Sequence, residues 1–179
     1  ESNLIGLVDG VFLQDYPPTP IEVYSALRYG VRIIGAASIG ALRAVELEPF
    51  GMIGVGKIFK LYKSGKLEDD DEIAVTFTPD NILQSEALID IRYTLYHAYK
   101  DNIIDKNEMK RLIRIAKRIY FPYRTYDEII SRAEEILDNK KLSLLKAYIT
   151  NNRRSLKEED SIKLLHYIKH EYIKWLRAK

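Results

Sequence analysis

Residues 31–47, VRIIGAASIGALRAVEL, narrow the choice of folds more than any other part of the chain. Residues 31–35 hold three β-branched apolar residues, Val31, Ile33 and Ile34, and the run is too short for a buried helix, so it reads as a strand inside a sheet. Ala36, Ala37, Ser38 and Gly40 are small, which lets the backbone turn sharply and lets a helix begin close to the strand. Ile39 to Leu47 has the composition of that helix, and Glu48-Pro49 ends it. Upstream, Thr19-Pro20-Ile21-Glu22 combines a capping hydroxyl, a proline at the first helical position and a glutamate three residues after the cap. That helix stops at Gly30, directly before the strand. Residues 3–8, NLIGLV, supply an earlier strand closed by Asp9-Gly10. Strand, helix, strand is a βαβ unit, so these two strands are expected to be parallel.

Residues 50–56, FGMIGVG, read as a glycine-punctuated connection, followed by a helix to Lys63. The run 73–77, IAVTF, reads as a third buried strand ending at Thr78-Pro79-Asp80. From Ser85 onward the pattern is helical. Successive starts are marked by Asp105-x-x-Glu108, Thr125-x-x-Glu128 and Ser155-x-x-Glu158. The expected fold is therefore α/β: a small parallel three-stranded sheet with flanking helices over 1–80, then an all-helical part over 81–179 packed on that core.

The chain has no cysteine, which excludes disulfides, thiolate metal sites, persulfide relays and cysteine nucleophiles. No run approaches a membrane span and no signal peptide is visible, so a cytoplasmic protein is expected. The sequence opens at Glu1 inside a strand-like pattern without an initiator methionine, and a segment upstream of it is expected. Charge is uneven: residues 1–100 carry net −5 and residues 101–179 net +7, as if the two halves met different partners. No zinc finger, helix-turn-helix or RNA-binding signature accompanies the basic half, and nucleic acid is not an expected partner.

Ligands of parallel α/β sheets gather outside the carboxyl ends of the strands. Here those ends are Asp9-Gly10, Ala37-Ser38 and Phe77-Thr78, which would bring a carboxylate and two hydroxyls to one crevice. Ser38 at a helix start suits an anion, an oxyanion or a nucleophile. The turn is a loose cousin of the Gly-x-Ser-x-Gly elbow, with Ala36 in the first glycine position. The bland alternative makes Ser38 a helix cap between close-packed small residues. No histidine occurs in residues 1–96, so a Ser-His-Asp triad cannot arise there. Asp9, Glu46, Lys57 and Glu86 are the remaining base candidates, with Arg43 as a clamp for a carboxylate. Thr78 and Arg92 complete the secondary candidates. No metal is expected; Asp70 and Asp71 in the run Glu68–Glu72 are the weak candidates, and an exposed turn is the competing reading. A phosphate- or nucleotide-binding role for the same helix start stays open, although neither a P-loop nor Gly-x-Gly-x-x-Gly follows the first strand.

The segment GAASIGALRAVELEPFGMIGVGKIF, preceded by LVDGVF and followed by GKLEDDDEIAVTF and SEALIDIR, resembles the TfuA-like family over roughly residues 4–95. Two departures stand out: an upstream strand with a Gly-Pro-Ser segment is missing, and Phe77 replaces a histidine of many relatives. The resemblance implies a partner of YcaO enzymes in thioamidation, a post-translational modification of peptides or proteins. In methanogenic archaea the product is a thioglycine of the methyl-coenzyme M reductase alpha subunit. It implies that ATP and Mg²⁺ are used by the YcaO partner, with no cofactor bound by this chain. It further implies sulfur transfer, with sulfide released from a thiocarboxylated ThiS-like carrier. On that reading Ser38 is nucleophile or oxyanion anchor, Asp9 an orienting acid or base, and Arg43 the carboxylate clamp. A non-catalytic docking or allosteric partner of YcaO is the alternative.

Overall fold

The computed structural model describes residues 4–8, 17–80 and 82–177. Its contacts divide the chain into two compact units, residues 1–69 with 156–179 and residues 70–155. The sequence placed its boundary at 80 and its last helix with the helical part; by contacts, that helix groups with the sheet.

The first unit is built on a parallel sheet in the order β1 (Leu4–Leu7), β2 (Arg32–Gly35), β3 (Ile53–Gly54). Leu4 to Leu7 pair with Arg32 to Gly35, and Ile34 and Gly35 pair with Ile53 and Gly54. Helix α1 (Pro20–Arg28) connects β1 to β2, α2 (Ile39–Leu47) connects β2 to β3, and α3 (Lys57–Lys63) follows. The Thr19 capping box forms as expected, with Thr19 and Glu22 exchanging hydrogen bonds. Strand alternation sorts the two faces. Gly35 looks toward Gly40 and Met52, whereas Ile34 and Ala36 pack with Leu164 of α8 (Leu156–Arg177). A methyl group at Gly6 would also meet Leu164 and Ile168, so the sheet lies between α1–α2 and α8.

The third strand is not the one expected. Residues 73–77 belong to the second unit, where Phe77 forms an antiparallel bridge with Leu83 across a turn. Thr78 N–H donates to the Ile82 carbonyl at 2.8 Å, and Gln84 N–H donates to the Thr76 carbonyl at 2.8 Å. Pro79-Asp80 lets the chain return on itself at once, a shorter closure than crossing to a parallel neighbour. Ile73, Ala74 and Val75 are buried all the same, which is why the run resembles an interior strand. The vacancy in the sheet is filled by two residues, Ile53 and Gly54, too few to leave a periodic signal.

In the second unit α4 (Leu88–Lys100), α5 (Lys106–Arg118), α6 (Tyr126–Ala133) and α7 (Asn139–Asn152) surround Leu88, Ile91, Leu95, Leu112, Ile129 and Leu145. Arg124 is buried yet fully used: it donates to both Asp71 carboxylate oxygens and to the Ala116 and Ile119 carbonyls at the end of α5. There a guanidinium satisfies groups the helix leaves over. Among the described residues no helix is long and apolar enough to cross a membrane.

The closest approach in the first unit is backbone on backbone. A methyl group at Gly40 would overlap the Leu7 carbonyl, and one at Gly35 would overlap the Gly40 carbonyl. Neither obstacle is a flexible side chain. Gly40→Ala should therefore cost about 3 kcal/mol or more of stability. Gly65→Ala, at φ 67° with nothing nearby to strike, should cost only about 1–2 kcal/mol through its left-handed backbone. Urea denaturation of both variants checks the difference; equal losses would refute the contact as the constraint.

Candidate functional site

The carboxyl edge of the sheet is stitched together by main-chain bonds. Ala36 N–H donates to the Leu7 carbonyl at 3.0 Å, and Val55 N–H to the Gly35 carbonyl at 2.9 Å. The Val8 carbonyl accepts from both Ser38 N–H and Gly40 N–H, each at 3.2 Å. Two amides at the start of α2 are thus already satisfied by the end of β1. Ala37 takes up the turn at φ 67°, a left-handed conformation that costs a residue with a Cβ about 1–2 kcal/mol. In a Gly-x-Ser-x-Gly elbow the strained turn exposes the serine hydroxyl. Here the strain sits one residue earlier, and Ser38 is completely buried.

Ser38 occupies the cap position of α2, but its side chain makes no capping hydrogen bond. Its Oγ is buried and has no hydrogen-bond partner among the described residues. A buried hydroxyl without a partner costs about 1–3 kcal/mol. The neighbouring residues Ala36 and Ala37 are also buried and offer only methyl groups.

Asp9 lies outside the described residues; the preceding residue, Val8, is the acceptor for the Ser38 turn. Arg43 is tied down by the Pro18 carbonyl at 2.8 Å and by Glu46 at 2.7 Å, one turn along α2. That arrangement is an internal ion pair, with the Arg43 side chain largely covered. Lys57 opens α3 immediately after β3, so the true third strand brings it to the carboxyl edge, with Glu159 at 3.9 Å. Thr78, Glu86, Arg92, Asp70 and Asp71 all belong to the second unit. There the Thr78 hydroxyl accepts from Ile82 N–H. Arg92 holds Glu72 by two bonds of 2.7 and 2.8 Å. Asp71 is engaged by Arg124, so it and Glu72 are held by arginines of their unit, whereas Glu68, Asp69 and Asp70 are exposed. No three or more acidic or histidine side chains are grouped to share a metal among the described residues.

One residue escaped the sequence reading. Asp160 on α8 is buried and accepts from Ile58 N–H at 2.7 Å, near the start of α3, while Lys163 reaches its other oxygen at 2.7 Å. Gly56, at φ 100°, leaves room for this carboxylate, since a methyl group there would overlap it. A carboxylate at a helix start is a familiar arrangement. Its owner, however, lies about a hundred residues away, and the only local trace is the glycine.

A parallel sheet whose strand ends converge on a small-residue turn defines an α/β protein with its candidate site at the carboxyl edge. The family model described as TfuA-like protein matches residues 9–125, and the chain belongs to that family. TfuA-like proteins have an accessory role in the YcaO system. No curated protein matches the chain significantly.

Two measurements check this geometry. Ser38→Ala should raise stability by about 1 kcal/mol, because it removes an unpaired buried hydroxyl. Were the hydroxyl a working cap, the same change would lower stability by about 0.5–2 kcal/mol, so the sign in urea denaturation decides. For Glu86, burial raises the pKa above the ordinary 4.5, opposed by Arg153 at 2.8 Å and helped by Asp90. Such a group adds stability that is full below the unfolded pKa and is lost as pH rises through the folded value. Glu86→Gln stays neutral, so the stability of the native chain relative to this variant should fall as pH rises above the ordinary 4.5. A difference that stays flat or grows as pH rises would contradict the burial.

Proposed function

We propose that this chain is the sulfur-supplying accessory protein of a YcaO-dependent thioamidation, and that it releases sulfide from a thiocarboxylated carrier protein at the Ser38 turn. The observation that carries the reading is the buried Ser38 hydroxyl, left without a partner at the start of α2. A carboxyl-type oxygen entering the turn would supply the missing partner and would lie at the positive end of the helix. Ser38 then acts as a hydrogen-bond anchor. An activated serine nucleophile needs a base bonded to its hydroxyl, and none is bonded here among the described residues.

The reaction balances with water as the only co-reactant. Water adds to the thiocarboxylate carbon, the C–S bond breaks, and the products are a carboxylate, hydrosulfide and a proton. Sulfur passes on as sulfide, in keeping with a chain that has no cysteine to hold it. ATP and Mg²⁺ belong to the YcaO partner, which activates the amide of the peptide or protein substrate. The methyl-coenzyme M reductase alpha subunit, with its glycine target, is the substrate this reading suggests for an archaeal source.

A docking role has its own support. Pro20, Ile21, Tyr24, Leu47 and Phe50 form a shallow apolar hollow, with Tyr24 and Phe50 edge to face at 4.9 Å and Ile21 largely exposed. Exposed apolar patches of this kind commonly mark protein contacts.

One experiment separates the two. Ser38→Ala and Phe50→Glu are each mixed with a purified YcaO enzyme and a thiocarboxylated carrier. The sulfur-supply reading expects Ser38→Ala to lose at least about tenfold in sulfide release while binding YcaO normally. If sulfide release is unchanged, that reading fails. If Phe50→Glu alone abolishes thioamide formation by releasing YcaO, docking is the function.

A further inference from the structure

The exposed side of α5 is the most unevenly charged surface of the second unit. Its thirteen residues carry Lys106, Lys110, Arg111, Arg114, Lys117 and Arg118 against a single acid, Glu108. Some charges of this unit are paired. Arg132 meets Glu128 at 2.7 Å one turn away, and Lys141 meets Glu108 at 2.6 Å. Arg111, Arg114 and Arg118 form no ion pair among the described residues. They recur every three or four positions, so like charges are stacked along one side of the helix.

These guanidinium groups border a real depression. Two adjoining hollows of about 200 and 370 Å³ share Ile115, Arg118 and Glu135; the first adds Arg111, Arg114 and Ile136, the second Arg132. Ile115 and Ile136 pack against the core from one side and show their other side to the groove. From Arg111 to Arg118 the helix rises about 10 Å, roughly two turns.

We propose that this groove between α5 and the end of α6 docks an acidic, amphipathic segment of a protein partner. Carboxylates of that segment pair with Arg111, Arg114, Arg118 and Arg132, and its apolar side chains cover Ile115 and Ile136. Charge complementarity selects the occupant: planar guanidinium groups bind carboxylates two bonds at a time. The apolar floor separates a protein from a polyphosphate or nucleic acid, which would cover the arginines and gain nothing from two isoleucines. Glu135 works the same way. One carboxylate among four arginines repels a continuous anionic chain but tolerates a segment with alternating character, and it fixes the register. The proposal stands whether or not the Ser38 turn releases sulfide.

The test uses the full chain and a fluorescein-labelled helical peptide with Glu on one side and Leu on the other, followed by fluorescence anisotropy at about physiological salt. The native protein should bind it, with affinity falling as salt rises. Arg114→Glu with Arg118→Glu should weaken binding by about tenfold or more, whereas Lys146→Glu on α7 should leave it unchanged. Arg114→Gln with Arg118→Gln serves as a milder pair should the reversal disturb folding, which circular dichroism reports. Absence of binding, or equal binding by the arginine and Lys146 variants, overturns the proposal. It is also overturned if a scrambled peptide, tripolyphosphate or an oligonucleotide competes as well as the amphipathic peptide.

Discussion

The contact on which the first unit depends is the approach of Gly40 to the end of β1. Its amide and that of Ser38 share the Val8 carbonyl, and no Cβ fits between Gly40 and Leu7. Much follows from that approach. The helix can begin this close to the sheet only if the turn between them is tight, and Ala37 adopts its left-handed conformation to make it so. Tightness, in turn, goes with a buried Ser38 hydroxyl that has nothing to bond among the described residues. The candidate site is therefore a by-product of packing as much as a feature added to it. A looser junction would expose the hydroxyl to water and remove its unusual character.

Which features were legible depended on how far apart the interacting groups lie in the chain. The β2–turn–α2 segment could be read because its constraint is local: small residues in sequence are small residues in contact. The same holds for the boxes at Thr19–Glu22 and Asp105–Glu108, where cap and partner are three residues apart. The third strand could not be read, since a two-residue strand has no period and the apolar run at 73–77 is largely buried without joining the sheet. That misreading moved Thr78 into the expected crevice and left Lys57 out of prominence. The charges at Asp71, Glu72 and Asp160 were equally opaque. Their partners Arg124, Arg92 and Ile58 lie 20 to 102 positions away, and composition alone cannot tell a solvated acid from a buried one.

Natural sequences tend to satisfy local rules everywhere except where function intrudes. In the two units, two places break those rules. In the first, a hydroxyl is buried at a helix start and left unpaired, although an alanine would fit the same space. In the second, three arginines are ranked along one side of a helix without an ion pair among the described residues, although nearby Arg132 and Lys141 are paired. Neither arrangement helps an isolated chain fold, and the two lack different things. The hydroxyl lacks one small polar atom inside a tight turn, which a carboxyl group can provide. The arginines lack several negative charges spread over about 10 Å, which a single small anion cannot provide. Both needs are met in the process proposed above, in which the chain handles a terminal carboxyl-type group and also holds a protein partner.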